Sequence, residues 1–296
     1  MKVFKISVIL FALTCGFSTN MLAQSKAVST KRPNIVVIIS DDHAYQAIGA
    51  YGSKLMPTPN IDRIANEGVL FNNGYVTNSI CGPSRAVFLT GKYSHKNGFK
   101  DNENSRFDGS QDSFVKQLKN SGYQTAWIGK WHLETQPQGF DFWQILPGQG
   151  QYYNPDFHMM DGSKKQKEGY VSDVIEDVSE NWLSNRDPNK PFCLVIGHKA
   201  THRTWIPDAQ DMGKYDHITF PLPHNFYDNY TNREAAKVQD MTISKTMQMG
   251  YDLKMFGTEN EANKEGTIMR MNPEQRQKFD AYYGAVNADL KSKNLS

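Results

Sequence analysis

The sequence has almost no excess charge, few cysteines and no internal repeats. Its 296 residues include 33 lysines and arginines against 31 aspartates and glutamates, a formal net charge of +2, without a long basic run. This balance gives no basis for nucleic-acid binding through bulk electrostatics. After the N-terminus, no stretch is long and apolar enough for a transmembrane segment. The 39% of hydrophobic residues is ample for a sizeable core.

Residues 1–24 have the pattern of a secretory signal peptide. Lys2 and Lys5 precede a short apolar run, and a region of small residues then offers a cleavage site. We therefore expect an exported, periplasmic or extracellular protein, with a polar linker over 25–33 before the folded region. Lipid attachment at Cys15 is the less favoured alternative, because the residues before it form only a loose lipoprotein box.

The three cysteines differ in their surroundings. Cys15 would leave with the signal peptide, and Cys81 and Cys193 would remain in an oxidising compartment, where they could pair as a disulfide. However, Cys193 lies in an apolar run that predicts a buried strand, whereas Cys81 lies in a polar turn. We therefore expect two unpaired cysteines with different roles.

Apolar runs and helical spacings alternate along the chain and predict an α/β fold with a mostly parallel central sheet flanked by helices. The run at 34–40 is continuous and β-branched, which is typical of a strand covered on both faces. Further strands are predicted at 69–71 with 75–76, at 123–128 and at 192–196. Apolar residues at helical spacing over 171–182 predict a helix with a core-facing stripe.

Charged and titratable side chains follow three of these predicted strands. They are Asp41 and Asp42, Lys130 and His132, and Lys199 and His202. Because ligands collect at the carboxyl ends of strands in open α/β sheets, we expect one common site. Paired carboxylates after a buried strand are costly without a compensating charge, which favours a hard divalent cation there. A solvated loop or a helix cap remains the alternative for the two aspartates.

Cys81 opens a predicted helix and has Arg85 one turn later. The sulfur atom therefore lies beside free backbone N–H groups and the positive end of the helix dipole, a setting that suits an anion. Taken alone, these residues are more typical of a structural cysteine before a helix. The polar groups at the strand ends favour a functional one.

Residues 81–85 (CGPSR), with LTGK at 89–92, resemble the C-x-P-S-R…TGK signature of type I sulfatases in the alkaline-phosphatase-like superfamily. The resemblance continues in the family's order at 32–42, 58–62, 129–133 and 199–202. It implies an alkaline-phosphatase-like fold. Type I sulfatases are much longer, so it also implies that 34–296 is an incomplete N-terminal catalytic domain, truncated before the rest of that domain and a smaller C-terminal subdomain.

The resemblance implies a specific nucleophile and metal. Cys81 would be oxidised to formylglycine, whose hydrated aldehyde attacks the sulfur of a sulfate ester. Asp41 and Asp42, with the converted Cys81, would bind one calcium ion, and residues absent from this sequence would complete its ligands. Arg85 would steady the formylglycine.

The resemblance also implies roles for the remaining site residues. Lys130 would bind the diol or the sulfate, His132 would assist the proton transfers of the diol, and His202 would contact the sulfate as a candidate general acid. Lys199 and Asn154 complete the predicted substrate-binding set. Thr201 departs from the family, which usually has proline at that position.

The aromatic stretch at 149–155 and the segment at 199–205 resemble secreted bacterial sulfatases that act on sulfated glycans, especially N-acetylglucosamine-6-sulfatases. The expected function is therefore hydrolysis of sulfate esters on glycosaminoglycan or mucin carbohydrate. A formylglycine-generating maturation enzyme would be the protein partner. Two alternatives remain: a phosphonate or phosphate monoester hydrolase of the same superfamily, and a truncated, inactive relic.

Overall fold

A computed structural model of the protein describes residues 32–256 and 266–293, apart from the side chains of 243 and 244. The chain divides into two units, Met1–Pro33 and Asn34–Ser296, and the fold below is that of the second. The predicted signal peptide, Cys15 and most of the predicted linker lie outside the described residues. Within the described residues, no helix has the length and apolarity needed to cross a bilayer.

One sheet of six strands organises the described fold, in the order β1-β6-β2-β3-β4-β5. The strands are β1 Ile35–Ile39, β2 Gln124–Lys130, β3 Phe142–Leu146, β4 Asp156–Met159, β5 Lys164–Gln166 and β6 Phe192–Gly197. The neighbours β1, β6, β2 and β3 are parallel, whereas β4 and β5 are antiparallel. The mostly parallel sheet that we predicted is confirmed, with an antiparallel hairpin added at one side.

The described helices are α1 Pro59–Glu67, α2 Cys81–Thr90, α3 Ser94–Asn97, α4 Phe114–Asn120, α5 Val171–Asn185, α6 Glu234–Val238, α7 Ile243–Thr246, α8 Met249–Leu253, α9 Gly266–Met269 and α10 Pro273–Ser292. Helices flank the sheet on both faces, with α5 and α10 in one hydrophobic cluster and α2 and α4 in the other. Short 3-10 turns precede α1. The predicted core-facing stripe is confirmed in α5, where Val171, Val174, Ile175 and Val178 are buried.

The side chains of the central strands alternate between two hydrophobic clusters, as the pleat of a strand requires. Ile128 and Leu194 join α5 and α10 in one cluster. Trp127 and Val195 join α2 and α4 in the other. Both clusters flank β2 and β6, so the loops that leave these two strands start from a rigid support.

Two expectations about strands are wrong. β1 pairs only with β6 in the described fold, and Val36 and Ile38 are 49% and 58% exposed, so this strand is covered on one face and not on both. Residues 69–76 form bends and irregular chain, with Phe71 74% exposed. Their apolar composition suits a strand, but no described segment supplies the backbone partner that a strand needs.

Two glycines let β2 and β6 approach each other at their carboxyl ends. A Cβ added to Gly129 would lie 2.1 Å from the backbone oxygen of Gly197, and one added to Gly197 would lie 2.5 Å from the oxygen of Lys130. Gly129 also has a φ of 94°, which other residues rarely adopt. The close approach brings the polar segments that follow the two strands together.

Candidate active site

The carboxyl ends of β1, β2 and β6 meet the N-terminus of α2 at one edge of the sheet. There Asp41, Cys81 and His202 each offer a metal-ligating atom, and these atoms all lie within 4.8 Å of one another. A cavity of about 460 Å³ opens beside Asp41, Asp42, Cys81 and Arg85. The structure therefore brings together residues from separate parts of the chain that the sequence placed after strands.

Asp41 carries the negative charge at the centre of this cluster and is 6% exposed. Its Oδ2 accepts a short hydrogen bond from Nζ of Lys130, which is fully buried, and lies 3.9 Å from Nη2 of Arg85. Nη1 of Arg85 donates to the backbone oxygen of Lys130 at 2.8 Å. Two buried cations thus share one described carboxylate, an arrangement that also suits an anionic ligand.

Burial lowers the pKa of Lys130, and the neighbouring Asp41 partly opposes that effect. Burial likewise lowers the pKa of Arg85, with Asp41 again acting in the opposite direction. Asp41 thus favours the charged form of both groups.

Cys81 is the first residue of α2 and is half-buried. Burial raises the pKa of its thiol, and the charge of Lys130 acts against this rise, so the group favours the protonated thiol at neutral pH. Gly82, next in the helix, donates its N–H to Oδ1 of Asn102 at 3.1 Å. Both Cys81 and Cys193 are free, which confirms the prediction that they are unpaired.

His132 is 8% exposed, and its backbone has a φ of 54°. Burial is the first cause that lowers the pKa of its imidazole to about 4, and the positive charges of Lys130 and Arg85 add to it. The imidazole is therefore neutral at pH 7. Its buried Nδ1 has no hydrogen-bond partner in the described structure.

His202 joins the cluster with a defined orientation. Its Nδ1 lies 2.6 Å from the backbone oxygen of Arg203, which can only accept, so Nδ1 carries the proton in this contact. Its Nε2 lies 3.6 Å from Oδ2 of Asp42, an exposed residue with a φ of 55°. Burial lowers the pKa of His202. The hydroxyl of Tyr152 donates to the backbone oxygen of His202 and so helps to hold this loop.

Two predicted substrate-binding residues lie in different surroundings. Lys199 is 4% exposed, and its Nζ lies 4.7 Å from the centre of the Tyr152 ring, beside the cluster. Asn154 instead connects α10 to the segment before α5. Its Nδ2 donates to Oε1 of Gln275 at 2.8 Å, and its Oδ1 accepts from the N–H of Gly169 at 2.9 Å. The geometry therefore gives Asn154 a structural network rather than a place in the cluster.

Gln149 is a site residue that the sequence reasoning missed. Its Oε1 accepts a short hydrogen bond from Nζ of Lys130. Gly148 and Gly150 on either side have φ values of 50° and 69°, and this turn places the amide against the lysine. The signal in the sequence was the Gly-Gln-Gly pattern, which marks a tight turn but does not say what its side chain contacts.

The donor set fits a hard divalent cation. Asp41 and Asp42 supply carboxylate oxygens, and an oxidised, hydrated side chain at position 81 would supply another oxygen close to Asp41. Calcium takes six to eight oxygen ligands, so these residues would form part of its coordination sphere. While Cys81 is unmodified, position 81 offers a thiol sulfur in place of this oxygen.

The mostly parallel sheet with acidic, cationic and cysteine side chains at its strand ends is an α/β fold, and its match to a solved sulfatase structure places it in the alkaline-phosphatase-like class. Residues 33–288 match the model of the Sulfatase family, and the chain belongs to this family. This confirms the resemblance that the motif at 81–92 indicated.

Proteins that the chain resembles include sulfatases named for amino sugars. The chain is 47% identical over 283 residues to N-acetylglucosamine-6-O-sulfatase of Bacteroides thetaiotaomicron, covering 92% of this chain and 50% of the relative. It is 39% identical over 206 residues to human N-acetylgalactosamine-6-sulfatase, covering 57% and 40%. A solved structure in complex with its substrate D-glucosamine-2-N,6-O-disulfate matches with a TM-score of 0.85 at 47% identity, covering 90% and 55%. The chain thus spans about half the length of these relatives.

Proposed function

We propose that the protein hydrolyses sulfate esters on carbohydrates and that its substrate is a 6-O-sulfated glucosamine or N-acetylglucosamine unit. The observation that carries this proposal is the position of Cys81, at the first turn of α2 and within 4.8 Å of ligand atoms of Asp41 and His202. The names of the most similar relatives support the sugar and the position of its sulfate.

Formylglycine at position 81 would supply, as its hydrated aldehyde, the oxygen nucleophile for the sulfur of the ester. The protonated thiol of Cys81 suits a precursor that is converted before it acts. Lys130 and Arg85 provide positive charge next to this position, where the sulfate oxygens gather negative charge in the transition state. Gln149 and Asp41 hold the lysine amine between them, so that it meets the sulfate in a fixed orientation.

The two histidines divide the proton transfers. His132 is neutral at pH 7 because of its lowered pKa, so it can accept a proton from the attacking hydroxyl. His202 holds one proton on Nδ1, and its Nε2 lies 3.6 Å from Oδ2 of Asp42. Burial lowers the pKa of this imidazole, so a second proton on Nε2 would be given up readily. Protonated in this way, His202 can donate to the leaving sugar oxygen. Lys199 adds positive charge beside it.

One calcium ion is the metal that these residues would hold, through Asp41 and Asp42 and the modified side chain at position 81. When bound, it supplies positive charge for a sulfate oxygen. We also propose export through the signal peptide at 1–24 and maturation by a formylglycine-generating enzyme, both of which rest on the sequence.

The test is release of inorganic sulfate from N-acetylglucosamine-6-sulfate by the chain produced together with a formylglycine-generating enzyme, in the presence of calcium. We expect release that Cys81→Ala abolishes and that Cys193→Ala retains. Faster turnover of an aryl phosphonate ester than of the matching aryl sulfate would favour the phosphonate hydrolase instead. Binding of the sulfated sugar without any turnover would favour the inactive relic.

A further inference from the structure

A second cleft lies beside the candidate active site. It has a volume of about 300 Å³ and opens between the segment that follows β2 and the end of β3, with apolar walls from Leu146 and Pro147. Both segments leave the carboxyl ends of neighbouring parallel strands, the same edge that carries Lys130. A cleft of this size and mixed lining suits a single sugar ring.

His132 joins this cleft to the reacting centre. It lines the cleft, is 8% exposed, and leaves its buried Nδ1 without a hydrogen-bond partner in the described structure. Buried polar atoms in native proteins nearly always have a partner, so an unpartnered one beside a cleft points to a bound ligand. The protein thus leaves one ring nitrogen of His132 unpartnered, and a sugar bound in the cleft would lie next to this residue.

The lining of the cleft carries one arginine, Arg106, and one glutamate, Glu134. Arg106 is exposed there, and its Nη2 donates to the backbone oxygen of Glu134 at 2.8 Å. No carboxylate among the described residues pairs with this arginine, although Glu134 is the one acidic residue that lines the cleft. His158 also lines the cleft. A guanidinium held on one side by a carbonyl keeps further N–H donors for an oxyanion.

We propose, on the basis of the proposed function, that this cleft binds the sugar whose sulfate is cleaved and that Arg106 binds a second anionic group of the same glycan. The preferred substrate class is therefore a glycan with at least two negative charges near the scissile ester. The second group is a sulfate on the same sugar or a carboxylate on its neighbour, since a guanidinium recognises both.

The test is calorimetric titration in a Cys81→Ala background, where no turnover occurs. The probes are N-acetylglucosamine-6-sulfate, glucosamine-2-N,6-O-disulfate, and 6-sulfated N-acetylglucosamine linked to glucuronic acid. We expect Arg106→Ala to weaken binding of a doubly charged probe about tenfold and that of the singly charged probe less than about twofold. The doubly charged probe whose affinity falls in Arg106→Ala shows whether the second anionic group is a sulfate on the same sugar or a carboxylate on its neighbour.

Two variants provide controls. Arg63→Ala removes an exposed arginine on α1 and should leave all affinities unchanged. Glu134→Gln removes the acid that lines the cleft and should tighten binding of the doubly charged probe. Equal affinity losses for all probes in Arg106→Ala, or no loss for any, would overturn the role of Arg106 while the proposed function stands. Failure of every sulfated probe to bind the Cys81→Ala chain would overturn the proposed function itself.

Discussion

Asp41 and the cations around it show how a costly arrangement of charge is kept at the site. Lys130 is fully buried and Arg85 is 4% exposed, and both face the single carboxylate of Asp41. Buried ion pairs seldom add stability over apolar side chains of similar volume, because each ion loses its hydration. We infer that this cluster serves ligand binding, where an anion and a divalent cation would complete its charges.

Lys130→Met should lower the free energy of unfolding by about 3 kcal/mol, because Asp41 then keeps only the longer contact with Arg85. Calcium should restore part of the loss, since a cation at Asp41 and Asp42 replaces the missing charge. Thermal melting with and without calcium measures both effects. Lys119→Met removes an exposed ion pair with Asp141 and should cost less than about 1 kcal/mol. Equal losses in the two variants would contradict this account.

The lowered pKa of His132 predicts an acid-sensitive fold. The folded pKa of about 4 lies below the ordinary value of 6.5, so between these values the unfolded chain binds the proton more readily. The free energy of unfolding should therefore fall as pH decreases from about 6.5 to about 4. His132→Gln should flatten this fall in urea denaturation at a series of pH values. If the free energy of unfolding changed with pH in the same way in the variant and in the unaltered chain, the lowered pKa of the buried His132 would be contradicted.

The site residues that the sequence could predict are those tied to strand ends. Asp41 and His202 follow β1 and β6, Lys130 ends β2, and the parallel order of these strands brings the three together. Gln149 and Arg106 lie in irregular segments, where no periodicity indicates what a side chain contacts. Loop contacts depend on the folded positions of distant residues, which a local pattern does not contain.

At the scale of the element, α2 sets the position of Cys81. Gly91, with a φ of 65°, ends the helix, and Arg85 and Leu89 on its buried face contact the site and the core. The start of the helix is closely packed: a Cβ added to Gly82 would lie 2.6 Å from Phe99 and 2.9 Å from the backbone oxygen of His132. The glycine thus permits α2 to approach the segment after β2.

Gly82→Ala should reduce stability by about 1–3 kcal/mol, because a methyl group there displaces α2 from its packed neighbours. The same displacement moves Cys81 away from His202 and should weaken binding of a sulfated sugar. Gly284→Ala is the matched control in α10, where an added Cβ meets nothing within 4 Å. It should stabilise the helix by up to about 1 kcal/mol. Chemical denaturation compares the two, and similar effects would contradict the packing described for α2.

Most elements were predictable from apolar runs and helical spacing, and the exceptions have physical causes. β1, β2 and β6 coincide with the strands predicted at 34–40, 123–128 and 192–196. β4 and β5 have only four and three residues, and all three residues of β5 are polar and exposed, so the hairpin is too short for a detectable pattern. Residues 69–76 have a strand-like composition, but a strand also needs a partner, which composition does not reveal.

At the scale of the whole molecule, the described surface includes many exposed apolar side chains, on β1 and in the segment 69–76. Ile38 is 58% exposed, Val69 72%, Phe71 74% and Tyr75 86%. Val76 and Ile80, also exposed, line the cavity beside Cys81. Exposed apolar residues next to an open strand edge favour association between chains. The chain should therefore associate in a concentration-dependent way.

Ile38→Lys should increase the soluble, monomeric fraction measured by light scattering and change stability by no more than about 0.5 kcal/mol, because the side chain already faces solvent. The neighbouring Val37 packs against the core cluster that contains Trp127. Val37→Lys would bury a charge and should destabilise the chain by several times that amount. If Ile38→Lys destabilised the fold as much as Val37→Lys, the exposed position of Ile38 on β1 would be contradicted.

The central claim is that Cys81 is the precursor of the nucleophile of a sulfatase rather than a structural thiol. Mass spectrometry of the peptide that contains Cys81, from the chain produced with a formylglycine-generating enzyme, tests it most directly. We predict the mass expected when sulfur and two hydrogens are replaced by one oxygen, with Cys193 unchanged as the internal control. An unmodified thiol at Cys81, while the same enzyme converts a known substrate peptide, would contradict the account.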